Sequence, residues 1–115
     1  MSRIAFIFPG QGAQTCGMGK DFYEQTETGK RVFDKASELL GFSMPQLCFE
    51  QNDRLDITEY TQAAMVTTSI AMMEVLEERG IKPDVAAGLS LGEYCALAAS
   101  GVMSAEDAIR TVRQR

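Results

Sequence analysis

Two short apolar runs mark the positions of predicted strands. Residues 4–8 and 85–87 have the length of buried strands, and Pro9-Gly10 stops the first of them. Each run leads through glycines into a segment with helical spacing. This order predicts an α/β fold in which helices cover a parallel sheet. Two strands are too few for a complete sheet of this kind, so we expect the chain to be part of a larger domain.

Apolar residues recur with helical spacing through most of the remaining chain. The predicted helices span residues 28–40, 59–79, 91–99 and 104 onwards, with a short helical turn opening at 43–46. Glycines expected to end three of these segments are Gly41, Gly80 and Gly101. The apolar residues expected mainly on one face of the longest helix are Ala63, Val66, Ile70, Met73 and Leu76. Ser104, with Asp107 three residues later, predicts the start of the last helix, and no stop signal follows it.

Composition narrows the class of protein. A chain of 115 residues can bury one small core, and a net charge of −5 disfavours binding to nucleic acid. No apolar run approaches the roughly 20 residues that span a bilayer, and the N-terminal run is too short for a signal peptide. The three cysteines form no C-x-x-C pair, which favours reduced thiols in a cytoplasmic protein. We therefore expect no membrane association, no metal and no cofactor.

A serine lies between two glycines directly after the second predicted strand. Gly88-Leu89-Ser90-Leu91-Gly92 has the G-x-S-x-G pattern, with a predicted strand before it and a predicted helix after it. In such a turn the glycines relieve crowding, and the serine hydroxyl is exposed above the sheet as a nucleophile. The N–H of Leu91 would lie at a helix N-terminus, where it can stabilise an oxyanion. The pattern alone also fits a tight turn in which Ser90 only caps the helix.

A glycine-rich loop follows the first predicted strand. A dinucleotide fingerprint would need glycine where Thr15 stands, and a P-loop would need glycine at Gln14 and Ser or Thr at Asp21. Both nucleotide-binding interpretations fail on spacing. The loop holds Gln11 between two glycines, which fits either a hydrogen-bond donor to a neighbouring site or a plain surface turn.

Four motifs occur together in this chain: FPGQGAQ at residues 8–14, YTQAA at 60–64, GLSLGEY at 88–94, and a helix bearing arginines up to Arg115. In this order and spacing the chain resembles, over its whole length, the malonyl-CoA:acyl carrier protein transacylases of bacterial fatty acid synthesis. The resemblance implies an α/β-hydrolase-like parallel-sheet domain with a G-x-S-x-G nucleophile elbow. Residues 1–115 would be the N-terminal portion of its large domain. A ferredoxin-like subdomain and the remaining catalytic half would lie outside these residues.

The resemblance also implies roles for individual residues. Ser90 would take the malonyl group from malonyl-CoA as an ester and pass it to the phosphopantetheine thiol of acyl carrier protein. The backbone N–H groups of Gln11 and Leu91 would form the oxyanion hole. Arg115 would pair with the free carboxylate of malonate, a task that suits a planar guanidinium, and Gln62 would line the same pocket.

The chain departs from the family pattern at two points. Leu89 stands where many members have histidine. The family's catalytic histidine lies further downstream, and these 115 residues contain no histidine. We therefore expect the chain by itself to be inactive, because a serine without a base is a poor nucleophile.

Two alternatives remain open, a polyketide-synthase-type acyltransferase and a non-catalytic CoA- or carrier-binding fragment. Acyl carrier proteins are acidic, so Arg110 and Arg113 fit either a carrier-binding face or a merely solvated helix surface. An incomplete sheet also leads us to expect aggregation or self-association.

Overall fold

The computed structural model describes residues 5–8, 12, 14–50, 54–55, 57–81, 85–88, 92–99, 101 and 103–113. Two strands and six helices are present in this part of the chain: β1 (Ala5–Phe8), α1 (Lys20–Gln25), α2 (Glu27–Leu40), α3 (Met44–Phe49), α4 (Thr58–Glu78), β2 (Val85–Gly88), α5 (Gly92–Ala99) and α6 (Ala105–Arg113). The predicted α/β class is confirmed, with a small parallel sheet and mostly helices. Both predicted strands and every predicted helix are also present, with bounds that differ by one or two residues, except that the turn expected at 43–46 is a helix that continues to Phe49.

The two strands pair in parallel to form the sheet. Phe8 lies opposite Gly88, so both strands end at the same level. On one face of β1 the rings of Phe6 and Phe8 are buried in the core, whereas on the other face the side chain of Ile7 is 80% exposed. Ala87, the partner of Ile7 on β2, is exposed as well. The described helices therefore cover only one face of the sheet.

Helix α2 has clear local start and stop signals. The side chain of Thr26 accepts a hydrogen bond from the N–H of Gly29 at 3.0 Å, which satisfies one of the unpaired donors of the first turn. Gly41 ends the helix in the left-handed conformation, with φ of 79°. Between these caps Val32 and Phe33 are buried against the other helices. The opposite face of α2 is charged.

Helix α4 is buried on more sides than its sequence predicts. The expected apolar stripe is buried apart from the half-buried Leu76, but so are Thr61, Thr67 and Thr68, which lie outside that stripe. The reason is that α1, α2, α3, α5 and α6 all pack around α4. Burial of α4 thus extends beyond the predicted apolar face, because threonines and alanines are small enough for neighbours to approach from several directions.

The loop after β1 is anchored to the helices at its far end. The N–H of Gly17 donates to the carbonyl of Cys48 at 2.7 Å. Gly19, with φ of 79°, lies so close to the ring of Phe33 that an added Cβ would be only 2.8 Å from it. Glycine is therefore required at this position both for its conformation and for its size. Helix α1, whose bounds the sequence did not predict, begins directly after this turn.

The last helix begins as predicted. The N–H of Asp107 donates to the Oγ of Ser104 at 3.1 Å, so the hydroxyl caps the first turn of α6. The helix is described as far as Arg113.

Within the described residues, no helix is both long enough and apolar enough to span a membrane.

Candidate active site

The two motif-bearing loops begin side by side. Strand β1 ends at Phe8, and strand β2 ends at Gly88, its direct partner in the parallel pair. The loop that contains Gln11 and the turn that contains Ser90 therefore start from neighbouring strand ends. In open α/β sheets, ligands bind outside the carboxyl ends of the strands. Gln11 and Ser90 themselves lie outside the described residues.

Only three residues separate β2 from α5. The strand ends at Gly88 and the helix begins at Gly92, so residues 89–91 alone make the connection and Ser90 is at its centre. Gly92 is buried, and α5 packs against both strands. A strand that leads into a helix through three residues is the sequence of elements that a nucleophile elbow requires. Leu91, the predicted oxyanion donor, also lies outside the described residues.

Gln62 is the one predicted site residue that the structure describes. It lies in the second turn of α4, and its side chain is half-buried. One turn later, the carbonyl of Val66 faces the Sγ of Cys95 at 4.0 Å, and Cys95 lies one turn after Gly92. Helices α4 and α5 both run back from the strand ends in a β–α–β arrangement. Gln62 and Gly92 are therefore at the same end of the helical layer.

Helix α6 leads to the last predicted site residue. It packs against α2, α4 and α5, and Arg110 on this helix is exposed. Arg115, the predicted partner of the malonate carboxylate, lies outside the described residues.

The first turn of α4 is held by a residue that the sequence analysis did not single out. Thr61 is fully buried, and its hydroxyl donates to the carbonyl oxygens of Leu55 and Ile57, the latter at 3.1 Å. Next to it, the ring of Tyr60 packs edge-on against Phe42, and the guanidinium of Arg54 lies 5.6 Å from the Tyr60 ring centre. The only sequence signal for Thr61 is its position directly before Gln62.

The buried cysteines are poor candidates for a nucleophile. Burial raises the pKa of the Cys48 thiol to about 12, although its hydrogen bond with Thr68 acts in the opposite direction. Burial likewise raises the pKa of Cys95 to about 12, against a hydrogen bond from Ser69. Both thiols therefore stay protonated at neutral pH, and the reactive form of cysteine is the thiolate. All three cysteines are free, and Cys16 is exposed.

A separate apolar cavity of about 360 Å³ lies between β1 and α4. Its lining includes Met65, Met72, Met73 and Leu76 of α4 together with the residues of β1. Gln62, the predicted site residue that the structure describes, does not line it. Among the described residues, no cluster of three or more His, Cys, Asp or Glu side chains could hold a metal ion.

The fold and the strand-end motifs define the class of protein. Residues 5–115 match the model of the acyl transferase domain, and the chain belongs to this family. It is 53% identical to the malonyl CoA-acyl carrier protein transacylase of Bacillus subtilis (strain 168), in an alignment that covers 100% of this chain and 37% of that protein. The chain thus spans little more than a third of the length of this relative.

Solved structures show the same similarity. The crystal structure of the enzyme MCAT from Streptococcus pneumoniae superposes with a TM-score of 0.94 at 48% identity, covering 97% of this chain and 37% of that one. A malonyl-transacylase solved in complex with its type II polyketide-synthase acyl-carrier protein superposes with a TM-score of 0.91 at 37% identity. That alignment covers 98% of this chain and 37% of the solved one.

Proposed function

We propose that these residues belong to an [acyl-carrier-protein] S-malonyltransferase of fatty acid biosynthesis. The enzyme would move a malonyl group from malonyl-CoA to the phosphopantetheine thiol of acyl carrier protein through a serine ester. The observation that supports the proposal is that only residues 89–91 separate the end of β2 from the start of α5, and that β1 ends opposite Gly88. The names of the relatives point to the same reaction.

In the first half-reaction, the Oγ of Ser90 attacks the thioester carbonyl of malonyl-CoA. A base removes the hydroxyl proton and later returns a proton to the departing CoA thiolate. The N–H groups of Leu91, the residue before α5, and of Gln11, three residues after β1, would bind the oxyanion of the tetrahedral intermediate. In the second half-reaction, the carrier thiol gives its proton to the same base and attacks the ester. Ser90 leaves and is protonated again.

The base has to come from outside these 115 residues, because they contain no histidine. We assign residues 1–115 to the N-terminal portion of the large, α/β-hydrolase-like domain, whose nucleophile elbow is residues 88–92. The ferredoxin-like subdomain and the other catalytic half would belong to further polypeptide. The three free thiols suit the reducing cytoplasm, which is the location we propose.

Two residues would recognise the malonyl group. Arg115 would form a bidentate pair with its free carboxylate, which distinguishes malonyl from acetyl thioesters. Gln62 would add an amide hydrogen bond from the same end of the helical layer. A polyketide-synthase-type acyltransferase is the second candidate, because one similar structure holds a polyketide carrier protein.

The test uses an acyltransferase of the relatives' length that contains these residues. Ser90→Ala should lower malonyl transfer by about a thousandfold or more. Ser104→Ala, the same change at an exposed helix cap, should leave transfer unchanged. Malonyl transfer by the Ser90→Ala variant at the wild-type rate would overturn the proposal. Preference for a polyketide carrier over a fatty acid carrier would favour the second candidate, and binding of CoA without transfer by the wild type would favour a non-catalytic module.

A further inference from the structure

Helix α4 begins without a side-chain cap. Ile57 is the N-cap residue and provides no side-chain hydrogen bond. The hydroxyl of Thr61 links this turn to the preceding segment instead, since it donates to the carbonyls of Leu55 and Ile57. The N–H of Ile57 in turn donates to the carbonyl of Arg54 at 2.9 Å. The buried Thr61 hydroxyl thus joins the segment before α4 to its first turn.

The next residue along the helix is Gln62. In a helix, the side-chain direction follows from the orientation of the turn that bears it, because few χ1 rotamers are allowed. A small tilt of the first turn would therefore displace the Gln62 amide. Displacement of a substrate-binding group by about 1 Å can lower a reaction rate by roughly a hundredfold.

We propose that Thr61 is a positioning residue for the malonyl site, because its hydroxyl fixes the first turn of α4 and with it the direction of Gln62. The inference rests on the proposed function and on the role of Gln62 in it. Thr61 itself touches no substrate, since its side chain is fully buried.

The same helix contains a matched control. Thr67 is also fully buried, and within the part of the chain that the structure describes its Oγ1 has no hydrogen-bond partner. Thr61→Val and Thr67→Val are therefore the same isosteric change at the same burial, and they differ in whether a hydrogen-bonded hydroxyl is lost. An effect of burial or helix propensity alone would appear in both variants.

The experiment measures kcat and KM for malonyl-CoA in an acyltransferase of the relatives' length. Rates are divided by the amount of enzyme that forms a covalent malonyl ester, so that loss of folded protein does not count. Thr61→Val should lower kcat/KM by about tenfold, whereas Thr61→Ser, which retains the hydroxyl, and Thr67→Val should stay within about twofold. In a variant that already carries Gln62→Ala, Thr61→Val should lower kcat/KM by less than a further factor of about two, because its effect acts through Gln62.

Two results would overturn the inference. One is that Thr61→Val lowers kcat/KM by the same factor in the wild type and in the Gln62→Ala variant, which would indicate a general structural role. The other is a Thr61→Val variant with wild-type kcat/KM. If Thr61→Val folds too poorly, Thr61→Ala removes the same hydroxyl with a better helix former and is expected to show the same pattern. Failure of the proposed function can be told apart from failure of this inference, because in that case the wild-type enzyme itself would show no malonyl transfer.

Discussion

The helical layer and the sheet differ in how completely the described residues bury them. Around α4 the packing is closed: Phe33 of α2 and Ile70 of α4 are fully buried, and five helices surround α4. At the sheet, the described helices cover one face only, and Ile7 on the other face is 80% exposed. Parallel sheets are almost always covered on both faces. The helices are thus closely packed, while the strand ends carry the proposed chemistry, for which we propose that a base comes from outside these 115 residues.

The largest expected effect concerns the proposed chemistry at the strand ends. The 115-residue chain alone should show no malonyl transfer, whereas a chain of the relatives' length that includes the catalytic histidine should be active. Loss of the base from a serine triad lowers the rate by about a millionfold. The measurement is transfer of labelled malonyl from malonyl-CoA to acyl carrier protein. Stoichiometric labelling of Ser90 in the 115-residue chain would show that the strand ends need no outside base.

The cysteines test whether the helical layer is closed. At pH 8, a thiol-modifying reagent should label Cys16 first, and mass spectrometry of peptides should show Cys48 and Cys95 almost unlabelled. With a pKa of about 12, only about one in ten thousand of these buried thiols is ionised at that pH. Fast labelling of Cys48 would mean that the helices packed around it separate readily.

The same pKa values predict a pH dependence of stability. The unfolded thiols ionise from their ordinary pKa of 9.0, while the folded ones remain neutral up to about 12. Their contribution to the free energy of unfolding is therefore fully present below pH 9 and is lost as the pH rises from 9 to 12. Urea denaturation across this range measures it, and Cys48→Ala combined with Cys95→Ala should weaken the trend.

The same substitution, isoleucine to alanine, can be made at a buried position of the helical layer and at an exposed position of the sheet to compare their effects on stability. Ile70→Ala should lower the free energy of unfolding by about 2–5 kcal/mol, because it leaves a cavity in a closed core. Ile7→Ala should change it by less than about 0.5 kcal/mol in the 115-residue chain, because that side chain is exposed. Urea denaturation gives both values. A large cost for Ile7→Ala in this chain would mean that the outer face is already covered, for example by self-association.

The smallest expected effect is at a helix cap. Thr26→Ala should lower the free energy of unfolding by about 1 kcal/mol, since the N–H of Gly29 loses its acceptor. Thr111→Ala, at an exposed position of α6, is the control and should cost less than about 0.5 kcal/mol. If both variants unfold at the wild-type urea concentration, the Thr26 cap does not stabilise α2.

Features set by neighbouring residues were predictable from the sequence, and features set by distant contacts were not. The end of α2 at Gly41 and the Ser104 cap of α6 depend on local signals and are confirmed. The alignment of Phe8 with Gly88 depends on pairing between strands far apart in sequence. The burial of α4 on most sides likewise depends on five other helices.

The candidate site shows the same division. The turn around Ser90 has a local signature, and the structure provides the predicted strand before it and helix after it. The roles of Gln11, Leu91, Arg115 and Gln62 came from the family resemblance and stay predictions. The role of Thr61 could not have been predicted from the sequence, because the hydrogen bond of its hydroxyl to the carbonyl of Leu55 depends on how the segment before α4 folds.

The most direct test of the central claim is to locate the malonyl group on the enzyme. A chain of the relatives' length is incubated with malonyl-CoA in the absence of carrier protein, quenched in acid, digested and analysed by mass spectrometry. We predict one malonyl ester per chain, on Ser90, which disappears when acyl carrier protein is added before the quench. A malonyl group on another residue, or transfer to the carrier at the full rate with no ester on Ser90, would contradict the account.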